Sequence, residues 1–356
     1  FMMGVSPVTL DGLSSGYNID WNISVDEIFN AMMGFEEAEV REMFRYYQQN
    51  DMLKGDVEAM ITEMKPWYDN YCFARMSLND DRVFNCDMTL YYLNYQVQRG
   101  SSPEEMVDKN IRTDYSKLKM LARIDRDSVQ EGDRMSTIEK IAAEGDIFVD
   151  LHTSFPAERI TDIDNFRSLL YYYGLLTMCG TRGDLIKMSI PNNCVREQYF
   201  GFLRDYYQKY SSIDLHYLNV MLTDMAYDGR WKPFFESVAQ AYRENSAVRD
   251  AMEGERNLQG FLKAYLALAS YYLVEPELEM NYGYCDFFLL PDKKRYPDVK
   301  HSYILELKYA TRTATDAELE VQALEGRKQL LRYSEDKIVR CLSEGTTLHR
   351  LLLQFR

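Results

Sequence analysis

The most informative stretch of the chain is YILELKY, residues 303–309. Its aromatic and branched residues favour a β-strand, in which successive side chains point to opposite faces of the sheet. Glu306 and Lys308 therefore lie on one face, while the leucines at 305 and 307 point to the other. The strand pattern therefore predicts that the Glu306 carboxylate and the Lys308 ammonium group lie side by side.

A second apolar strand, residues 284–290, contains one acid, Asp286. Aspartate is disfavoured inside strands, so its position there needs a reason. The polar connection that follows contains Tyr296-Pro297, where we expect the chain to turn. If the two strands pair antiparallel about this turn, Asp286 lies close to Glu306 and Lys308. Two carboxylates and one amine then converge on a single point.

This trio has the chemistry that phosphodiester hydrolysis requires. Carboxylate oxygens bind Mg²⁺ (or Mn²⁺), which keeps several water ligands and can also accept phosphate oxygens. The ion lowers the pKa of a bound water, and a lysine beside it can orient that water and neutralise developing charge. We expect Asp286 and Glu306 to bind the metal and Lys308 to act on the water. Glu255, on a helix upstream, is a candidate further ligand or base.

Two other interpretations of these residues stay open. A Glu-x-Lys pair looks the same on a solvated edge strand that carries an ordinary ion pair. Asp292 and Asp298 each follow a proline and compete with Asp286 for its role, but turn chemistry explains acids in that loop. We prefer Asp286 because it lies within the strand.

The flanking segments predict a compact α/β unit around these two strands. Apolar residues at helical spacing cover residues 255–274 and about 316–333, and an apolar run at 348–355 predicts a closing strand. The predicted order is helix, strand, strand, helix, strand.

Helices dominate the chain upstream of this unit. The predicted helices are 36–50, 56–68 (broken by Pro66), 87–123 with a cap and first turn at Ser101–Glu105, 162–173, 195–210 and 215–226. Two short apolar runs, 175–178 and 185–190, flank the turn CGTRGD and predict a hairpin. A helix followed by a hairpin is typical of a winged-helix-like unit, here at about 162–191.

Composition and charge narrow the class of protein. The longest apolar run, residues 264–274, is too short to span a bilayer, so no membrane partner is expected. The six cysteines are scattered without a CxxC pair, which predicts a reduced, cytoplasmic protein. The net charge is −15, but residues 283–356 carry 13 Lys and Arg against 11 Asp and Glu, whereas the first 282 residues carry 28 against 45. The acidity lies outside the C-terminal segment, which is therefore compatible with phosphate binding.

Four blocks of the sequence resemble one known family. They are FMMGVSPVTLDGLSSGYN at 1–18, YDNYCF at 68–73, NIRTDYSKL at 110–118 and the segment 283–336, which includes the most specific string, YILELKYA. They are similar to the Bacteroidetes-type predicted AAA-ATPase-like proteins that have a C-terminal PD-(D/E)XK nuclease domain. The resemblance implies that Asp286 and the Glu306–Lys308 pair form the nuclease motif, with Glu255 as the helix acid. It also implies that Gln329 and Tyr333, one helical turn apart, face the site from the following helix, although an ordinary helix flank would look the same.

The chain departs from this family in two places. Many relatives have Gly-Arg-x-Asp where this chain has Gly283-Tyr284-Cys285-Asp286, so any contact of that arginine is missing. None of the 18 glycines is followed by lysine, so the P-loop is not in this chain and we expect no ATPase activity. The resemblance implies that the ATPase half lies upstream.

Two features near the start of the chain complete the predictions. Phe1–Val5 has the pattern of a strand covered on both faces, and we expect it to pair with a strand from an upstream fragment or a neighbouring chain. GLSSG at 12–16 matches the G-x-S-x-G nucleophile elbow but lacks the strand and helix that this motif needs, so a serine hydrolase is set aside.

The sequence as a whole predicts an α+β multidomain protein. Residues 1–95 are the remnant of an ATPase-like domain with a helical lid, residues 96–250 a helical middle with the winged-helix-like hairpin, and residues 251–356 a restriction-endonuclease-like α/β domain. The expected function is Mg²⁺-dependent cleavage of DNA or RNA, regulated by ATP in the full-length protein. The alternative is a catalytically inactive nuclease fold that serves as a nucleic-acid or protein interaction module.

Overall fold

The computed structural model describes residues 7–9, 23–80, 82–108, 115–122, 130–208, 213–244, 255–268, 271–280, 283–293, 295–310 and 313–355. The chain divides into two compact units, residues 1–202 and 203–356. The predicted strand at residues 1–5 and the GLSSG segment at 12–16 lie outside the described residues. The three predicted domain ranges stay predictions.

The first unit is mostly helical, as predicted. Its helices are α1 (Glu37–Gln49), α2 (Val57–Tyr68), α3 (Cys86–Arg99), α4 (Tyr115–Ala122), α5 (Gln130–Glu144), α6 (Ile163–Tyr172) and α7 (Asn193–Gln208), the last of which includes the boundary at residue 202. Two-residue strands form two small pairs: β1 (Val8–Thr9) with β5 (Phe155–Pro156), and β2 (Phe35–Glu36) with β3 (Val83–Phe84). None of the described helices in either unit is long and apolar enough to cross a membrane.

Helices α1 and α2 confirm the predicted apolar stripes, with one correction. Asp56 caps α2 by accepting a hydrogen bond from the Glu58 N–H at 3.0 Å. Pro66 does not break α2, which continues to Tyr68. Pro66 lies in the last turn, so only two helical residues follow it. The inner faces of these helices share a core with α3 that contains Val40, Phe44, Met64, Tyr68 and Tyr92.

The helix start predicted at Ser101–Glu105 is wrong. Helix α3 ends at Arg99, Gly100 follows with a φ of 68°, and residues 101–108 contain no helix or strand. Gly100 caps the C-terminus of α3, because its N–H donates a hydrogen bond of 2.8 Å to the Gln96 carbonyl. The Ser102 hydroxyl donates to Glu63 Oε2 at 2.6 Å, so its side chain serves a tertiary contact rather than a helix cap.

The predicted hairpin is confirmed. Strands β6 (Thr177–Arg182) and β7 (Leu185–Ser189) pair antiparallel, and Gly183 has the positive φ of 62° that so tight a connection favours. Strand β4 (Asp146–Val149), which lies outside every predicted element, pairs with the other edge of β7. The hairpin is therefore part of a three-stranded sheet in the order β4-β7-β6.

The second unit is built around a four-stranded mixed sheet. Its helices are α8 (Leu215–Asp228), α9 (Lys232–Glu244), α10 (Glu255–Leu266), α11 (Asp316–Glu335) and α12 (Lys337–Leu342), and its strands are β8 (Tyr272–Met280), β9 (Gly283–Pro291), β10 (His301–Tyr309) and β11 (Thr347–Phe355). The order in the sheet is β11-β10-β9-β8. Strands β10 and β11 are parallel and the other pairs are antiparallel. Because parallel neighbours need a crossover, α11 and α12 connect them and pack Leu330, Tyr333 and Val339 against Phe288 and Ile304.

The long helix predicted for residues 255–274 is wrong in its second half. Helix α10 ends at Leu266, and Tyr272 begins β8, which pairs antiparallel with β9. The run YYLV at 271–274 combines aromatic and β-branched residues, which prefer a strand when a partner is present. Pro276 lies within β8, an edge strand where a residue without an N–H is tolerated. The sheet has one strand more than the sequence pattern predicts.

Candidate active site

Strands β9 and β10 pair antiparallel, as predicted, and their pairing ends beside Asp286. The paired residues are Tyr303 with Leu289, Ile304 with Phe288, and Leu305 with Phe287. One residue further along, a side chain replaces the backbone as acceptor: Asp286 Oδ2 accepts a hydrogen bond from the Leu307 N–H at 2.7 Å. This contact holds the Asp286 carboxylate against the segment of β10 that contains Glu306.

Glu306 and Lys308 form a buried ion pair on β10. Lys308 Nζ lies 2.8 Å from Glu306 Oε1, and the exposed fractions of the two side chains are 19% and 5%. β10 is an inner strand, flanked by β9 and β11. The interpretation as an ordinary pair on a solvated edge strand is therefore wrong. A carboxylate this buried needs a cation because desolvation of an isolated charge is costly, and Lys308 provides one.

Asp286 is a half-buried acid held by two hydrogen bonds. Besides the Leu307 contact, its Oδ1 accepts a hydrogen bond from Gln259 Nε2 of α10 at 3.0 Å. Burial raises the pKa of Asp286 above its usual value. The Leu307 N–H, the charge of Lys308, the Gln259 amide and the charge of Lys263 oppose that rise. Lys308 is thus electrostatically coupled to both carboxylates.

Tyr333 of α11 belongs to the same neighbourhood. Tyr333 is only 4% exposed. Burial raises the pKa of its hydroxyl to about 12, and the negative charges of Glu306 and Asp286 contribute to the rise. Its phenol is therefore neutral at physiological pH and available as a hydrogen-bond donor beside the two carboxylates.

Gln329 and Gly326 lie on α11 within two turns before Tyr333. The side-chain oxygen of Gln329 is buried and has no hydrogen-bond partner among the described residues. Gly326 is buried, and a Cβ built on it would lie 2.5 Å from Leu352 Cδ1 and 3.4 Å from Lys308 Cε. Glycine therefore allows α11 to pack closely against β11 and against the stem of Lys308.

Helix α10 supplies residues that the sequence analysis missed. Gln259 contacts Asp286, and Lys263, one turn later, is 1% exposed with its amine 5.8 Å from the centre of the Phe287 ring. Glu255, the predicted helix acid, begins α10, but its side chain lies outside the description. Residues 255, 259 and 263 recur every four positions and share one face of the helix. That spacing of polar residues is the signal that could have identified Gln259 and Lys263.

The competing acids of the connection do not join this cluster. Asp292 Oδ1 accepts a hydrogen bond from the Arg295 N–H at 3.3 Å, a turn contact of the kind expected after a proline. Asp298 is exposed in the same connection. Among the side chains that the structure describes, no three His, Cys, Asp or Glu residues form a ready metal-binding group. The described carboxylates of the site are two, Asp286 and Glu306.

Comparison with known proteins agrees with this geometry. Residues 253–356, which include α10, the four strands and both crossover helices, match the sequence model of the PD-(D/E)XK nuclease superfamily. No curated protein and no solved structure matches the chain. The match, together with the mixed α/β sheet, supports a PD-(D/E)XK nuclease domain at the C-terminal end of the chain.

Proposed function

We propose that the C-terminal domain is an Mg²⁺- or Mn²⁺-dependent nuclease that hydrolyses phosphodiester bonds of DNA or RNA. The observation that carries this proposal is that Asp286 accepts a hydrogen bond from the Leu307 N–H, between Glu306 and Lys308 on β10, while those two residues form an ion pair. The family match over residues 253–356 suggests nuclease activity.

The residues present fit a hard divalent cation. Asp286 and Glu306 offer carboxylate oxygens, and the buried oxygen of Gln329 is a further acceptor with no hydrogen-bond partner among the described residues. Asp286 and Glu306 would hold the ion, which when bound supplies Lewis-acid activation of water and phosphate. Gln259 and the Leu307 N–H fix the orientation of the Asp286 carboxylate, since each donates to a different oxygen.

Lys308 has a separate role in this proposal. Its ammonium group bonds to Glu306 and lowers the pKa of Asp286, so it lies beside both proposed ligands. A protonated amine in that position orients the attacking water and stabilises negative charge on the phosphate in the transition state. We assign Glu255 as a further ligand or base, and Gln329 and Tyr333 as supporting residues that contact substrate or water from α11.

The three-stranded sheet β4-β7-β6 and the preceding helix α6 support a winged-helix-like unit in the first half of the chain. The resemblance of residues 1–18 and 68–73 supports an ATPase-like part upstream, through which ATP would regulate cleavage. A cytoplasmic location follows from the scattered cysteines.

A cleavage assay tests the proposed activity. The purified chain is incubated with single- and double-stranded DNA and RNA, with Mg²⁺, with Mn²⁺ or with a chelator. We expect metal-dependent cleavage of at least one substrate, lost in Glu306→Ala and kept in Lys337→Ala, which removes an exposed lysine from α12. Nucleic-acid binding without cleavage under any metal condition would favour the inactive interaction module instead.

A further inference from the structure

The outward face of α11 carries a line of exposed aliphatic side chains. Val321, Leu324 and Leu331 are 55%, 54% and 49% exposed. They are three and seven residues apart, the spacing of the a and d positions of a coiled coil, with Lys328 completing the line. Gly326, Leu330 and Tyr333 occupy the opposite, buried face of the same helix. We call residues 321, 324, 328 and 331 the α11 stripe.

Charged residues flank the α11 stripe in a regular order. Glu320 and Arg327 lie on one side of it, and Glu325 and Arg332 lie on the other. Each pair is seven residues apart, with the acid nearer the N-terminus. All four are exposed, and none makes an ion pair within the described part of the chain. The flanks are thus acidic in the first half of the stripe and basic in the second.

An antiparallel second copy of α11 would cover the apolar side chains of the α11 stripe and would pair the flanking charges with opposite charges. In that arrangement Val321 lies opposite Leu331 of the second copy, and Leu324 packs against the aliphatic stem of Lys328 of the second copy. Glu320 then faces Arg327 of the second copy, and Glu325 faces Arg332 of the second copy. The acidic half of each helix meets the basic half of the other.

A parallel pair of the same helices is disfavoured by the same charges. Parallel coiled coils bring each g position next to the following e position of the partner helix. Glu320 would then face Glu325 of the second copy, and Arg327 would face Arg332 of the second copy. Like charges in such pairs are repulsive. The charge order therefore selects the antiparallel arrangement, which a two-fold axis generates from identical chains.

We propose that the α11 stripe is the contact surface of a symmetric, antiparallel dimer of this chain. One pair of 20-residue helices buries less surface than the roughly 1,200–2,000 Å² of a typical stable interface. The dimer should accordingly be weak, with a dissociation constant on the order of micromolar.

Sedimentation equilibrium of the full chain tests the dimer, over about 1 to 100 µM. We expect a monomer–dimer equilibrium for the wild type. Leu331→Glu should weaken the dimer by at least about tenfold, because each dimer loses both of its Val321–Leu331 contacts. Val220→Glu is the matched control, since Val220 is 46% exposed on α8 of the same unit. Because both positions are exposed, thermal unfolding should be unchanged in both variants.

Charge reversal tests the antiparallel register specifically. A chain carrying Glu320→Arg and Glu325→Arg should fail to dimerise, and so should a chain carrying Arg327→Glu and Arg332→Glu. Equimolar mixing of the two chains should restore a dimer, as should combining all four substitutions in one chain. A wild type that stays monomeric throughout the concentration range would overturn the proposal. A dimer that survives Leu331→Glu and either charge reversal would overturn it equally, because the contact would then lie elsewhere.

Discussion

At the scale of single residues, Asp286 carries a folding cost that its proposed function explains. Burial raises its pKa, so the folded chain binds a proton at this carboxyl more readily than the unfolded chain does. The stability that such a group contributes is fully present below its unfolded pKa. It is lost as the pH rises through its folded pKa. At a pH above its folded pKa, the buried charge of Asp286 is therefore destabilising. A buried carboxylate whose role is to bind a cation is expected to carry such a cost.

Asp286→Asn should accordingly make the protein more stable at neutral pH while abolishing cleavage. The amide keeps an oxygen for the Leu307 N–H and removes the buried charge. We expect the free energy of unfolding to rise, measured by urea denaturation at neutral pH. The advantage over the wild type should shrink as the pH is lowered through the folded pKa of Asp286. Asp298→Asn, on the exposed connection, is the control and should change little; a less stable Asp286→Asn at neutral pH would contradict the electrostatic explanation.

Lys308 and Glu306 should separate cleavage from metal binding. Because Lys308 is assigned to water and phosphate, Lys308→Ala should reduce the cleavage rate by about 10²- to 10³-fold and leave Mn²⁺ binding nearly intact. Glu306→Ala should lose both. Calorimetric titration with Mn²⁺ measures the binding. If the Lys308 variant lost Mn²⁺ affinity as completely as the Glu306 variant, the division of roles between the two residues would be wrong.

At the scale of elements, the packing of α11 on β11 depends on Gly326. In most helices a glycine-to-alanine change is stabilising by up to about 1 kcal/mol. Here the new methyl group would meet Leu352 Cδ1 at 2.5 Å, so Gly326→Ala should instead destabilise the fold by about 1–3 kcal/mol. It should also reduce cleavage, because the same methyl group presses on the Lys308 stem.

A double variant distinguishes this clash from a general loss of helix stability. Leu352→Ala removes the atoms that the new methyl group would meet, so adding it to Gly326→Ala should cost less than it costs the wild type. Urea denaturation of the four chains measures this coupling. If the two free-energy changes were purely additive, the cost of Gly326→Ala would not come from a clash with Leu352.

The elements also show which parts of the site a sequence can reveal. The strands carrying Asp286 and Glu306 were predicted to within a few residues because strand alternation is a local property, and their antiparallel pairing followed from one turn. Strand β8 was missed because the apolar run at 271–274 continues the helical pattern of α10 until a partner strand is available. Gln259 and Gly326 were missed for a different reason: their importance lies in contacts with residues 286 and 352, which no local pattern encodes.

At the scale of the whole molecule, the absence of a P-loop from the sequence leads to a prediction about ATP hydrolysis. No glycine of the chain is followed by lysine, so neither the backbone amides nor the lysine that hold the β- and γ-phosphates of ATP are preorganised. The purified chain should not hydrolyse ATP. Phosphate release measured across gel-filtration fractions tests this, with buffer fractions as the control. ATPase activity that co-elutes with the chain would refute the prediction.

The proposed metal site at Asp286 and Glu306 is tested most directly by diffraction from crystals soaked in Mn²⁺. The anomalous signal locates the ion independently of any activity. We predict a single strong peak in contact with both the Asp286 and Glu306 carboxylates, with the Lys308 amine beside it but not bound to it. Crystals of the Glu306→Ala variant should lack the peak. A peak bound elsewhere, or none at these carboxylates at saturating Mn²⁺, would contradict the proposed nuclease site.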